Sequence, residues 1–148
     1  MIGGSDGLPG AAHGGTGLPD TARRVLVLGA SRSGASAALA LANLGLEVTL
    51  SDRRDPASLT GLAAATAAGA RFQPEGTLEE SWPRPDLVIK SPGVPGEAGP
   101  VALARQRGVP VWSELELAYA LFPNPFDAVT GTNGKTTTTA LLGHLFAA

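Results

Sequence analysis

Apolar residues along this chain come in short unbroken runs, separated by stretches where alanine and leucine recur at helical spacing. Val25-Leu26-Val27-Leu28 is one such run and predicts a buried strand. Gly29 to Gly34 then reads as a turn, and Ala35 to Leu44 as a helix stopped by Gly45. Val48-Thr49-Leu50 predicts a second strand ending at Asp52, and Leu59 to Ala68 a helix closed by Gly69. Leu87-Val88-Ile89 is a further strand, running into Ser91-Pro92-Gly93. A helix over Val101 to Gln106 ends at Gly108, and Val109-Pro110-Val111-Trp112 is a short strand whose proline suits a sheet edge. Ser113 and Glu116 stand at the spacing of a capping box that opens a helix to about Leu121. Strand and helix alternate, which predicts an α/β fold with a parallel, doubly wound sheet and right-handed crossovers.

Pro123-Asn124-Pro125 interrupts this alternation. Two prolines remove donors and push their neighbours to extended conformations, so a domain boundary is expected there. After it come the run Phe126-Asp127-Ala128-Val129, the segment Thr130-Gly131-Thr132-Asn133-Gly134-Lys135-Thr136-Thr137, and an apolar-rich stretch from Ala140 to Phe146. Strand, glycine loop and helix in that order form an anion-binding concavity, because backbone N–H groups and a helix N-terminus converge. Lys135 would add a point charge for the β- and γ-phosphates of ATP, and the Thr136 hydroxyl a ligand for Mg²⁺. Val129 stands where the general phosphate-loop pattern carries its first glycine. Taken alone, a Gly-Lys-Thr tripeptide is more often an ordinary turn; its strand and helix context turns the reading toward phosphate.

Within the first unit, Gly29-Ala30-Ser31-Arg32-Ser33-Gly34 approximates the dinucleotide fingerprint G-x-G-x-x-G, with Ser31 in place of the middle glycine. That substitution argues against tight NAD binding, while the helix N-terminus still favours a phosphate. Asp52 ends the second strand where an acidic side chain meets a ribose or base in such folds; its plain alternative is a charge flanking a helix. Arg53 and Arg54 offer guanidinium donors to phosphate, or form a solvated pair with equal weight. Ser91-Pro92-Gly93 gains weight from standing at the carboxyl end of a parallel strand. Lys90 reads as a solvated strand end, Trp82, Trp112 and Tyr119 as packing residues, and His144 as surface or core rather than a metal ligand.

Composition adds limits. A chain of 148 residues allows one domain plus part of another, and 43% hydrophobic content suffices for a core. A net charge of −2 gives no electrostatic case for nucleic acid or acidic membranes. The absence of cysteine excludes disulfides and thiolate metal sites. No apolar run reaches the length of a membrane span, and no signal-peptide pattern opens the sequence, so a cytoplasmic location is expected. Residues 1–22 are glycine-rich without an apolar period and read as a flexible tail in which His13 has no role; 23–122 form the first domain and 123–148 the start of a second.

The string V-L-V-L-G-A-S-R-S-G-A-S, the S-D-R-R after the second strand, the S-P-G-V-P turn, the S-E-L-E-L-A helix start and T-G-T-N-G-K-T-T occur here in order. Together they resemble the N-terminal third of the D-glutamate-adding Mur ligases, over about Arg23 to Ala148. The resemblance implies a Rossmann-like domain holding a uridine diphosphate substrate, then the first strand, phosphate loop and helix of a Mur-type ATPase domain. It also implies a C-terminal domain outside this sequence. By position, Arg32, Ser33, Asp52, Arg53, Arg54 and Gly93 would line the uridine diphosphate site, and Gly131, Thr132, Asn133, Gly134, Lys135, Thr136 and Thr137 would hold ATP. Arg32 departs from the small apolar residue usual in the family, and Arg53 from a common threonine. Sister ligases that add L-alanine typically carry histidine where Asn133 stands.

The implied activity is ATP-dependent amide ligation in peptidoglycan precursor synthesis. The carboxylate of UDP-N-acetylmuramoyl-L-alanine is activated as an acyl phosphate and attacked by the amine of D-glutamate. Metal ligands and D-glutamate contacts of the family lie beyond Ala148, so an N-terminal fragment, inactive alone, is expected. Three other readings stay open: another Mur ligase, the L-alanine-adding one; an NAD-binding redox or sensor module built on the Gly29–Gly34 turn; and a non-catalytic nucleotide-binding module.

Overall fold

A computed structural model of the chain describes residues 17–78, 84–122 and 128–147. Five parallel strands form one sheet: β1 (Arg24–Leu28), β2 (Glu47–Asp52), β3 (Arg71–Pro74), β4 (Leu87–Lys90) and β5 (Val111–Ser113), in the order β3-β2-β1-β4-β5. The helices among the described residues are α1 (Arg32–Asn43), α2 (Leu62–Ala67), α3 (Gly99–Gln106), α4 (Glu114–Leu121) and α5 (Lys135–Phe146). The expected doubly wound architecture is present, with β5 at an edge; that strand begins just after Pro110 rather than including it. Strand β3, absent from the sequence reading, extends the other edge. Its exposed and half-exposed residues and closing proline lack the unbroken apolar run that marks β1.

The central strand shows why its four apolar residues are consecutive. Side chains of a strand alternate between faces, so a strand covered on both sides is apolar throughout. Val25 and Val27 pack with Ala38 and Leu41 of α1, Ala65 of α2 and Leu117 of α4. Leu26 and Leu28 point the other way and pack with Val101 and Ala104 of α3. The result is a three-layer core with α1, α2 and α4 on one face and α3 on the other.

Strand β1 is also the point where the chain reverses its direction of growth across the sheet, since β2 flanks it on one side and β4 on the other. A crevice opens outside the carboxyl ends of strands at such a point. The opposite end of β1 is fixed by Asp86, whose carboxylate accepts the N–H groups of Arg23 and Arg24 at 3.1 and 2.8 Å.

Two local outcomes differ from the sequence reading. Residues 17–22 fall in the stretch read as a flexible tail, yet the Gly17 N–H donates to the Ala120 carbonyl of α4 at 2.9 Å, Leu18 packs on the core, and Ala22 is buried. Ala128, Val129 and Thr130 form no strand. Phe126, Asp127, the Pro123–Pro125 break, Trp82 and His13 lie outside the described residues. The capping box that opens α4 is complete: Ser113 Oγ accepts the Glu116 N–H at 3.1 Å, and Glu116 Oε2 accepts the Ser113 N–H at 2.6 Å.

Candidate functional site

Three segments meet at the carboxyl ends of β1, β2 and β4. The first is the turn from β1 into α1. Gly29 adopts φ +93°, a left-handed conformation that favours glycine, and a Cβ there would sit 2.8 Å from the Cβ and Oγ of Ser91. A Cβ on Gly34 would lie 1.8 Å from the Gly29 carbonyl oxygen. These two glycines of the fingerprint are therefore required by packing. Ser31, at the middle position, has φ −66° and needs no glycine. It is the N-cap of α1 without a side-chain cap bond, and no acidic residue occupies the first turn.

The second segment is Asp52-Arg53-Arg54. Asp52 is 7% exposed, and its Oδ2 accepts the Ala30 N–H at 2.7 Å, which ties the β1 turn to the end of β2. Arg54 donates Nε to Oδ1 at 3.0 Å and Nη2 to Oδ2 at 2.8 Å, and its backbone N–H reaches Oδ1 at 2.9 Å. This forked guanidinium holds the Asp52 carboxyl far below the usual carboxylate range, with the two backbone donors assisting against the opposing effect of burial. Reciprocally, the carboxylate raises the Arg54 pKa. Asp52 thus acts inside the chain as a clamp. Arg53 points elsewhere and pairs with Glu75, Nε to Oε1, at 3.0 Å.

The third segment is the turn after β4, closed by a Val94 N–H to Ser91 carbonyl bond of 3.0 Å. Lys90, read from the sequence as a solvated strand end, is half-buried and donates Nζ to the Val94 carbonyl at 2.6 Å and to that of Ser91 at 3.3 Å. It holds the turn from beneath. Gly93 is exposed, and a Cβ on it would meet nothing within 4 Å. The fold therefore has no steric need for glycine at this position.

Gly29, Asp52, Arg53, Arg54 and Gly93 line one cleft of about 410 Å³. Arg32 and Ser33 line an adjoining one of about 840 Å³ between α1 and α4, with Glu114 and Leu117 opposite; Ser31 borders both. The residues expected around a uridine diphosphate thus surround a single helix N-terminus, on two sides of Ser31. Sequence reasoning missed Lys90, Glu75 and Glu114. The first two carry no motif, and Glu114 was visible only as the neighbour of a capping residue.

The segment Gly131–Thr137 forms a second candidate site. Gly131 at φ +149° and Gly134 at φ +79° use conformations that favour glycine, and Gly134 is the N-cap of α5. Lys135 folds back so that Nζ donates to the Gly131 carbonyl. No acidic residue stands in the first turn of α5. A loop of backbone donors, one ammonium and a helix N-terminus without opposing charge fits a phosphate group. Helix α5 has no buried residue, and neither cleft of the first domain is lined by residues of this loop. His144 is exposed, and the described residues contain no cluster of three histidine, cysteine or acidic side chains able to hold a metal. No helix among them is long and apolar enough to cross a membrane.

No family model matches the chain. Relatives do. The chain is 46% identical over 125 residues to the UDP-N-acetylmuramoylalanine–D-glutamate ligase of Anaeromyxobacter dehalogenans, covering 84% of this chain and 27% of that protein. It is 46% identical over 127 residues to the enzyme of the same name from Pelotomaculum thermopropionicum, covering 85% and 28%. Among solved structures, UDP-N-acetylmuramate–alanine ligase MurC from Thermotoga maritima aligns with a TM-score of 0.58 at 27% identity, over 84% of this chain and 29% of that one. A murein peptide ligase from Psychrobacter arcticus aligns with a TM-score of 0.58 at 25% identity, over 82% and 25%. Over the span that it covers, the chain belongs to the Mur ligase family. Within the family its sequence is similar to the D-glutamate-adding ligases, and it spans a little over a quarter of the length of those first two relatives.

Proposed function

We propose that the chain carries the substrate-nucleotide domain and the ATP loop of an ATP-dependent ligase that adds D-glutamate to UDP-N-acetylmuramoyl-L-alanine. One observation carries the reading. In a chain 46% identical to D-glutamate ligases, the turn after β1, the end of β2 and the turn after β4 converge on one helix N-terminus at the topological switch point.

The residues then have separable tasks. The Ala30 N–H is aligned by Asp52, which fixes the turn that receives the diphosphate. Ser31 and the first turn of α1 supply donors and the positive end of a helix dipole. Arg32 adds positive charge beside them, Arg54 shapes the wall as the partner of Asp52, Ser33 offers a hydroxyl, and Gly93 leaves room for a base or ribose to approach the turn after β4. At the second site, the donors of Gly131–Thr137 would hold ATP, Lys135 would neutralise the phosphates, and the Thr136 hydroxyl would hold Mg²⁺. When bound, ATP with Mg²⁺ supplies the phosphoryl group that activates a substrate carboxylate. In this reading the location is cytoplasmic, where nucleotide-linked precursors and ATP meet, and the 148-residue chain alone turns over no substrate.

Calorimetry on the 148-residue chain with UDP-N-acetylmuramoyl-L-alanine and with NAD tests the proposal. Saturable binding of the uridine ligand without NAD binding is the expected result. NAD binding without uridine-ligand binding would show a redox module instead.

A further inference from the structure

The two walls of the nucleotide cleft, the turn after β1 and the turn after β4, are joined at one buried hydroxyl. Ser91 is 4% exposed, and its N–H continues the sheet by donating to the Leu28 carbonyl at 2.9 Å. Its Oγ stands 3.2 Å from the Gly29 carbonyl oxygen and within a short hydrogen bond of Glu114 Oε1. One proton serves two acceptors, so the Ser91 hydroxyl alone satisfies only one of them at a time. Packing leaves it little freedom: a Cβ on Gly29 or Gly34 would lie 2.8 or 3.0 Å from this oxygen.

Glu114 is the first residue of α4, and the capping box of Ser113 and Glu116 on either side fixes its backbone. Its carboxylate therefore reaches Ser91, the residue after β4, from an anchored helix end. The same residue borders the cleft that holds Ser31, Arg32 and Ser33. A carboxylate in the first turn also favours the helix dipole, which would make Glu114 a stabiliser of α4 and nothing more.

We propose that Glu114 is a positioning residue for the nucleotide site: by drawing the Ser91 proton away from the Gly29 carbonyl and holding the Ser91 side chain against the start of α4, it sets the spacing between the Gly29 turn and the Ser91–Val94 turn that a uridine diphosphate must fit. The inference rests on the uridine-nucleotide reading of the cleft. Lys90 fixes the far end of the turn after β4, and Glu114 fixes the near end.

The experiment measures affinity for uridine diphosphate and melting temperature in the 148-residue chain and in Ser91→Ala, Glu114→Ala, Glu114→Gln and the Ser91→Ala/Glu114→Ala double variant. Each alanine variant is expected to bind about tenfold more weakly, as for loss of one hydrogen bond to a charged group. The double variant is expected to match the weaker single one, because both act through one contact. Glu114→Gln, which keeps an acceptor oxygen, is expected to recover most of the affinity. A lowered melting temperature with unchanged affinity in Glu114→Ala would reduce Glu114 to a helix stabiliser and overturn the inference. So would fully additive losses in the double variant. No uridine diphosphate binding by the unaltered chain would instead overturn the nucleotide reading of the cleft and this inference with it.

Discussion

Both carboxylate oxygens of Asp52 are occupied by Arg54, through Nε at 3.0 Å and Nη2 at 2.8 Å, while Oδ2 also receives the Ala30 N–H at 2.7 Å. The pair closes one wall of the cleft from within the chain. A ligand that needs an oxygen of Asp52 has to compete with a guanidinium two residues away.

Asp52→Ala is therefore expected to lose stability as well as nucleotide affinity. It leaves the Ala30 N–H without its acceptor, and hydrogen bonds to charged groups are worth about 1.5–3 kcal/mol each. Urea unfolding of Asp52→Ala and Arg54→Ala checks this. The Asp52 variant should show the larger shift in midpoint, because the Arg54 side chain is 54% exposed and that of Asp52 only 9%.

The same pair predicts an acid-sensitive fold. Arg54 holds the Asp52 carboxyl below its ordinary value, and backbone donors do the same at Asp86. A depressed folded-state pKa contributes stability that is fully present above the unfolded-state value, about 3.9 for aspartate, diminishes below it, and vanishes below the folded value. Stability should be level from neutral pH to about pH 5 and fall as the solution passes below about pH 4. The fall should be shallower in Asp52→Asn, as chemical denaturation at stepped pH would show.

Two glycines make opposite predictions. Gly34→Ala places a methyl 1.8 Å from the Gly29 carbonyl oxygen, so the turn and α1 must separate; soluble yield and melting temperature should fall sharply. Gly93→Ala meets nothing within 4 Å and should change stability by less than about 0.5 kcal/mol. If the turn after β4 receives the nucleotide, Gly93→Ala should nevertheless weaken uridine diphosphate binding, a separation that calorimetry and thermal melts together resolve.

In a protein containing this chain and the rest of the ligase, Lys135→Ala is expected to cut the ligation rate by about 10²–10³ while sparing binding of the UDP substrate. Lys135 reaches Gly131 in its own loop, and none of the residues lining the clefts around Asp52 belongs to that loop. Loss of UDP-substrate affinity with ATP turnover intact would reverse the assignment of the two sites.

Much of the fold was legible because the sheet is covered on both faces. Val25 to Leu28 had to be apolar without interruption, and that run announces itself. Strand β3 did not, since an edge strand of two exposed and two half-exposed residues ending in Pro74 looks like a loop until Phe72 meets Leu50 across the ladder. Helix α1 starts at Arg32 rather than Ala35 because the last residues of the glycine turn are already helical. The cleft was legible at its glycines and at Asp52. The contact of Ser91 with Glu114 was not, because it joins residues far apart in sequence that share no motif, and Lys90 looked like any solvated charge.

Helix α5 presents Leu141, Leu145 and Phe146 at 58%, 64% and 74% exposure. An isolated helix of twelve residues is marginal in water, so packing on these side chains would stabilise α5 and, with it, the turn at Gly134 that opens it. Limited proteolysis would read this out: peptide bonds near Lys135 should be cut well before those of the buried strand Val25–Leu28, and protection near Lys135 would rise with packing on α5.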